Sequence, residues 1–251
     1  MKKEVLGIKI HDISSSEAVE TIFGWLKKGG PASTTPVSTR SIRGGQRGEK
    51  HYVVTANPEI IMMAQKDTEL KSIINNADLV VPDGVGLKLT TDIVCYTPGV
   101  DLMEEIIKSS LDYGFTIGLL GGDKGIAEKT ADCLRKKYPK VKISFVGDGG
   151  KINQDGQMIP STTNYQLPTT DLLFVAFGPP KQEKWISKNL KELPVKVAMG
   201  VGGSFDFLSG SVPRAPKFIR KLGLEWLFRL IIQPWRIKRQ LALIKYLLMV
   251  L

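Results

Sequence analysis

Short apolar runs closed by Gly, Pro, Asn or Asp recur along the chain, and between them apolar residues return every three or four positions. HYVVT (51–55), DLVVPDG (78–84), FTIGLLGG (115–122), VKISFVGD (141–148), DLLFVAF (171–177) and VKVAMGV (195–201) predict strands. VLGIKI (5–10) predicts a further strand ahead of them. Ser14 and Glu17 form a capping box for a helix through about Lys27. Asn57-Pro58-Glu59 supplies an N-cap, a proline at the first helical position and an acid in the first turn. Ile60, Met63, Ala64, Leu70, Ile74 and Ala77 then mark the buried face of one helix. Strands alternating with helices in this way predict an α/β fold: a Rossmann-like, doubly wound, mostly parallel sheet with helices on both faces and right-handed crossovers.

In such a sheet ligands bind outside the carboxyl ends of the strands. Thr55 and Asn57 close one strand and Asp83 the next, which places them toward one cleft. Asn57 already has work as a helix cap, and Asp83 as the centre of a Pro-Asp-Gly turn, so structural and ligand roles both stay open for them. Glycines after the later strands, Gly121 and Gly122, Gly178, and Gly202 and Gly203, would let a nucleotide approach the backbone closely. None of these turns is a GxGxxG fingerprint. Lys181, Gln182 and Lys184 occupy the first turns of a helix, where cations oppose the dipole unless an anion or polar ligand offsets them.

From Pro213 onward the pattern changes. Nine of the 35 Lys and Arg fall at 211–251 beside one acid, so this segment carries +8 of the +10 net charge. Apolar and aromatic residues are interleaved with the basic ones, and no window has the roughly 18 uncharged apolar residues that a membrane span needs. Residues 1–212 are therefore expected to form an α/β catalytic domain, and 213–251 a basic amphipathic helical appendage. An anionic membrane surface suits that appendage; packing on the domain or on a second copy in a homo-oligomer is the alternative. Arg229, Arg236 and Arg239 share one side of a helix if Pro234 only kinks it, an array suited to a diphosphate. Residues 29–50, rich in Gly, Pro, Ser and Thr, read as a flexible insertion, either solvated or a lid carrying Arg40, Arg43 or Arg47 to a ligand.

Two cysteines without a CxxC, and no apolar run of signal-peptide length at the start, favour a reducing cytoplasm. No metal-ligand spacing, GxSxG, Walker loop, HExxH or Asp-x-Asp pair occurs, so neither a metal nor another cofactor is expected. What remains is one aspartate, amide and hydroxyl partners, glycine turns and arginines. That set suits transfer of a group from an activated phosphate ester to a hydroxyl, with Asp83 as general base and arginines on the leaving diphosphate.

The blocks TANPEIIMMAQ (55–65), NADLVVPDGVG (76–86), GVDL (99–102), FGPPKQEKWI (177–186), GVGGSFD (200–206), RAP (214–216), GLEWLFRL (223–230) and PWRIKR (234–239) resemble the WecG/TagA family of bacterial glycosyltransferases, glycosyltransferase family 26. The resemblance implies inverting transfer of an N-acetylmannosamine-type sugar from a UDP-sugar donor to undecaprenyl-diphosphate-linked N-acetylglucosamine, in teichoic acid or surface polysaccharide synthesis. It implies a peripheral enzyme on the cytoplasmic face of the membrane, whose C-terminal appendage docks there and helps complete the active site. Asp83 would be the base, and Thr55, Asn57, Gln182, Arg229, Arg236 and Arg239 would bind substrate. Two departures from the family pattern stand out. Tyr96 occupies a position where an arginine is usual, and the segment from Asp83 to Gly99 is a few residues shorter than usual; the 29–50 insertion is also atypical, its arginines being candidates to supply the missing cation. The rival readings are a sugar-nucleotide-binding homologue with lost or altered catalysis, favoured by Tyr96, and a nucleic-acid binder, favoured by charge alone; no nucleic-acid partner is expected.

Overall fold

The computed structural model describes residues 2–28, 49–159 and 167–250. Arg40, Arg43 and Arg47 lie outside them. The chain begins with an antiparallel hairpin, β1 (Lys2–Val5) and β2 (Ile8–His11), where the apolar pattern predicts one strand. Leu6 and Gly7 both have positive φ, 51° and 77°, which is the two-residue reversal that suits tight hairpins and explains the difference. The capping box forms as predicted: the backbone N–H of Ser14 donates to Glu17 at 2.7 Å and opens α1 (Ser15–Lys28).

After β3 (His51–Ala56) the predicted single helix is two, α2 (Pro58–Ala64) and α3 (Thr68–Asn75). Asn57 caps the first by accepting from the N–H of Ile60 at 3.0 Å. Asp67 caps the second by accepting from Leu70 at 2.9 Å, so a local side-chain bond interrupts an otherwise continuous helical spacing. There follow β4 (Leu79–Pro82), α4 (Val85–Thr90), α5 (Gly99–Tyr113), β5 (Thr116–Gly121), α6 (Ile126–Lys137) and β6 (Lys142–Gly147). A small hairpin of β7 (Lys151–Ile152) and β8 (Met158–Ile159) precedes β9 (Thr170–Ala176), α7 (Lys181–Asn189), β10 (Val195–Gly200) and α8 (Ser204–Leu208). The C-terminal segment comprises α9 (Lys217–Lys221), α10 (Glu225–Ile232), a 3-10 turn at Pro234–Arg236, and α11 (Ile237–Val250).

Six strands form one wholly parallel sheet in the order β4-β3-β10-β9-β5-β6. Alternate residues face opposite layers, and both layers are apolar. Val54, Leu173, Val175 and Ala198 meet α2, α3, α7 and α11, while Val53, Phe174, Val197 and Met199 meet α1, α5, α6 and α8. Helices on both faces leave the carboxyl edge as the place where chain ends, turns and polar groups gather. The β1-β2 hairpin lies outside this sheet, with Nδ1 of His11 accepting from the backbone N–H of Val80 in the edge strand β4 at 3.0 Å. The C-terminal segment packs on the domain through α11. Tyr246 is fully buried, its hydroxyl is 2.9 Å from Oγ1 of Thr90, and Leu243 and Leu247 join the core layer beneath.

Asp67 has a second task, because Nζ of Lys184 in α7 lies 2.7 Å from its carboxylate and 3.0 Å from Glu69, with only 7% of the lysine side chain exposed. The charge of Lys184 at a helix start is thus answered within the protein. Asp67→Ala, which removes both the cap and a partner of this nearly buried cation, is expected to cost about 2 kcal/mol in denaturant unfolding. Asp67→Asn, which keeps a capping oxygen, should cost about 1 kcal/mol less. Equal costs for the two variants would show that the cap contributes nothing.

Candidate active site

Five strand ends bring the candidate residues together at the carboxyl edge. Two cavities adjoin there, of about 400 Å³ and about 610 Å³. Thr55, Asn57, Asp83, Tyr96, Gln182 and Glu183 line the first, whose lip is apolar: Leu89, Trp226, Leu243 and Leu247. Gly122, Asp123, Lys151, Phe177 and Lys181 line the second. Gly178, Gly202, Gly203, Arg229, Arg236 and Arg239 belong to both, so the glycine turns and the three guanidinium groups form the partition. Gly121 is a wall of neither. A side chain there would lie 2.8 Å from the Ala176 carbonyl carbon, so its lack of one serves the approach of β5 to β9.

Asp83 opens to the first cavity on one side and is enclosed by protein on the others. Burial pushes its carboxyl up to about 6, with Glu225 and Asp101 pushing the same way; the N–H of Gly99, donated to the carboxylate, and the charge of Arg214 hold it down. It is therefore mostly ionised at neutral pH and has the strength of a general base poised just below it. Tyr96 is its neighbour. Burial, then the negative charge of Asp83, raises the phenol well above its ordinary value, so a neutral hydroxyl stands near that carboxylate. Thr55 donates to the carbonyl of Gly200 at 3.2 Å, and Asn57 lines the cavity while capping α2.

Gln182 is more committed than its sequence pattern indicates. Its Oε1 accepts from the N–H of Gly178 at 3.1 Å and of Gly202 at 3.0 Å, and its Nε2 donates to Oε1 of Glu183 at 2.8 Å. One amide therefore clips together the turns after β9 and β10, leaving one N–H for a ligand. Glu183 was not singled out by sequence reasoning, because an acid in the first turn of a helix is the ordinary choice. It is fully buried, its Oε2 has no hydrogen-bond partner among the described residues, and burial pushes its carboxyl up to about 7.

The three arginines do not share one helix as predicted. Pro234 ends α10 rather than kinking it, so Arg229 comes from α10, Arg236 from the 3-10 turn and Arg239 from α11. They converge nonetheless. Arg229 reaches Asp206 at 3.0 Å and Gln233 at 3.1 Å, and lies so close over Gly203 that a Cβ there would sit 2.6 Å from its Nη2. Arg239 makes a two-pronged pair with Glu59, at 2.5 and 2.8 Å. Among the described residues Arg236 makes no ion pair and its buried Nε has no acceptor, although Glu59 and Asp206 act on it from further off. Burial, then the charges of Arg229 and Arg239, brings it down to about 10, which still leaves it cationic. An orphaned buried donor between two other guanidinium groups is a place for an anion. Among the described residues no group of three or more His, Cys, Asp or Glu is placed to hold a metal ion.

The family model for the glycosyl transferase WecG/TagA/CpsF family matches residues 3–251. An N-acetylglucosaminyldiphosphoundecaprenol N-acetyl-beta-D-mannosaminyltransferase of Bacillus subtilis is 35% identical over 81% of this chain and 83% of its own. A Staphylococcus aureus protein of the same name is 30% identical over 95% of this chain and 87% of its own.

The buried carboxyl of Glu183 makes a prediction about stability. Its folded value, about 7, lies above the usual carboxylate range, so the stability it confers is full below about pH 4.5 and is lost as pH rises through 7. Glu183→Gln keeps an acceptor for Gln182 but cannot ionise. It should be more stable than wild type at pH 8, by on the order of 2 kcal/mol, with the advantage vanishing at pH 4.5. Urea unfolding at both pH values measures this, and an equal effect at both would exclude a titrating Glu183.

Proposed function

The chain belongs to the WecG/TagA/CpsF glycosyl transferase family, and from that premise we propose that it moves an N-acetylmannosamine-type sugar from a UDP-sugar to undecaprenyl-diphosphate-linked N-acetylglucosamine, in the building of teichoic acid or a related surface polysaccharide. The observation that carries the reading is the guanidinium of Arg236, whose buried Nε has no acceptor among the described residues, flanked by Arg229 and Arg239 on the partition between the two cavities. A diphosphate on that partition would leave the nucleoside to the more polar cavity and the sugar to the cavity that holds Asp83.

The chemistry follows from this placement. Asp83 takes the proton of the acceptor hydroxyl as its oxygen bonds to the anomeric carbon, and the bond from that carbon to the diphosphate oxygen breaks on the opposite face. The anomeric configuration is inverted, and the negative charge released falls on the diphosphate, where three guanidinium groups stabilise it. Tyr96 supplies a neutral hydroxyl beside the base for a sugar oxygen.

The acceptor's lipid explains the apolar lip. Phe218, Leu222, Ile231, Trp235, Ile244 and Leu248 are 55–80% exposed on the C-terminal helices, among Lys217, Lys221 and Lys245. Such a surface suits the headgroup region of an anionic membrane, and residues 213–251 act as the docking appendage of the 1–212 catalytic domain. No helix of the described residues is long and apolar enough to cross a membrane. The rival reading, a sugar-nucleotide binder without turnover, draws on Tyr96; a screen of UDP-sugars with a lipid-diphosphate-N-acetylglucosamine acceptor decides between the two.

Asp83→Asn should still bind UDP but lose at least about 100-fold in kcat, and near-normal turnover would sink the base assignment. In the wild type, kcat should rise with pH through about 6 as Asp83 ionises. Arg236→Gln should weaken UDP binding about tenfold, read by calorimetry, while leaving the melting temperature of the free protein unchanged or raised, because it removes a buried, repelled cation. A loss of stability without a loss of UDP affinity would move Arg236 out of the site.

A further inference from the structure

Arg214, in the stretch between α8 and α9, joins two walls of the cleft. Its Nη1 and Nη2 each lie 2.6 Å from an oxygen of Asp101, in the first turn of α5, and its Nε lies 3.1 Å from Oε1 of Glu225 at the start of α10. Arg220 stands 3.9 Å from Asp101 and adds little beside it. Two residues before Asp101, Gly99 gives its N–H to Asp83, and its Cα hydrogen points where a Cβ would lie 3.3 Å from Oδ2 of that carboxylate. On the other side, Glu225 is followed directly by Trp226 in the cavity lip and one turn later by Arg229 on the partition. The planar fork of one arginine thus holds the start of α5, which touches the base, to the start of α10, which carries the anion site.

We propose that Arg214 is a positioning residue that couples the C-terminal segment to the base, seating α10 over the cavity and balancing the two carboxylates, Asp101 and Glu225, that face Asp83. The inference rests on the reading of Asp83 as the base. The charged and titratable groups facing Asp83 are Asp101 from α5, Glu225 from α10, Arg214 itself, and the Tyr96 phenol from the loop before α5. Asp101 and Glu225 favour the protonated base and Arg214 opposes them. When the clamp opens, α10 is released and two uncompensated carboxylates remain beside Asp83. Position and protonation then fail together.

The test compares kcat across about pH 5 to 9 for the wild type, Arg214→Gln, Arg214→Lys and Arg214→Gln/Glu225→Gln, with amide hydrogen exchange of Glu225–Ile232 in the same full-length proteins. Arg214→Gln should move the acid limb to higher pH, so that kcat falls at least about threefold more at pH 6 than at pH 8, and should speed exchange in α10. Adding Glu225→Gln should return the limb toward its original place while α10 stays loose. Arg214→Lys should keep the limb but hold α10 less well, because an ammonium cannot engage two carboxylates with a fork. A loss equal at every pH, or an acid limb and α10 exchange both unchanged in Arg214→Gln, overturns the coupling. Asp83→Asn assayed alongside reports on the base independently: should it turn over normally, the base reading fails, while the exchange data still judge the clamp.

Discussion

Three guanidinium groups that repel one another are held at a desolvated junction, and much of the C-terminal half of the structure serves to hold them there. Asp206 answers Arg229 and Glu59 answers Arg239, while Arg236 feels both carboxylates only at a distance and, among the described residues, its Nε has no acceptor. Opposed to this repulsion is the burial of α11 on α2, in which Tyr246, Leu243 and Leu247 cover the core layer. At about 25 cal/mol per Å² of apolar surface, one fully buried side chain of that size contributes about 2 kcal/mol. Interactions between partly solvated charges are of the same order. The charged array is therefore affordable only as part of a packed helix, and on the reading proposed above an arriving diphosphate would offset the repulsion that the packing sustains.

At the opposite end of the first cavity the electrostatics are of a different kind. Asp83 is raised by enclosure and by two neighbouring carboxylates, and lowered by one N–H and one guanidinium, with the result close to 6. Tyr96 beside it stays neutral. The site thus has a proton-accepting end and a cationic end, separated by turns that Gln182 and Glu183 clip together. Group transfer with inversion needs that division, since a proton leaves at one side of the reacting carbon and negative charge develops at the other. A cation in place of Tyr96 would stabilise the ionised base and so weaken it. Arg214, paired with Asp101 and Glu225, is the guanidinium that opposes those two carboxylates near Asp83.

The parts of this arrangement that were legible in the sequence are those written in local chemistry. The strand runs, the capping box at Ser14 and the cap at Asn57 depend on neighbours within four residues, and the rule that ligands gather at strand carboxyl ends then places Thr55, Asn57 and Asp83 together. The hairpin at Leu6 and Gly7 was hidden because a glycine within apolar alternation also fits a plain strand. The break before Asp67 was hidden because helical spacing continues across it. Glu183 and Arg214 were out of reach for a deeper reason. Each looks like an ordinary charge in the chain, an acid in a first turn and a base in a basic segment, and acquires its meaning from partners that only the tertiary fold supplies: Gln182 with two distant turns, and Asp101 with Glu225. The arginine triplet shows the converse. Its convergence was expected for the wrong geometric reason, since Pro234 breaks the helix and the fold restores the grouping.

That break bears on how the two faces of α11 divide the work. Leu243, Tyr246, Leu247 and Val250 recur at helical spacing and point to the domain, whereas Leu241, Ile244 and Leu248 are 49–80% exposed on the other side. A helix apolar on both sides wants an apolar neighbour on both, and the domain covers only one. On the reading proposed above, the bilayer surface covers the second, with Trp235 and Lys245 at its boundary. Arg236 immediately precedes this same helix and Arg239 lies in its first turn, and α10 with Arg229 stands one proline away. Because these elements are short and joined without slack, whatever seats the outer face of α11 also sets the position of all three guanidinium groups against Gly203 and the strand ends. The lipid-bearing acceptor and the place where diphosphate charge is received would then be positioned by one contact.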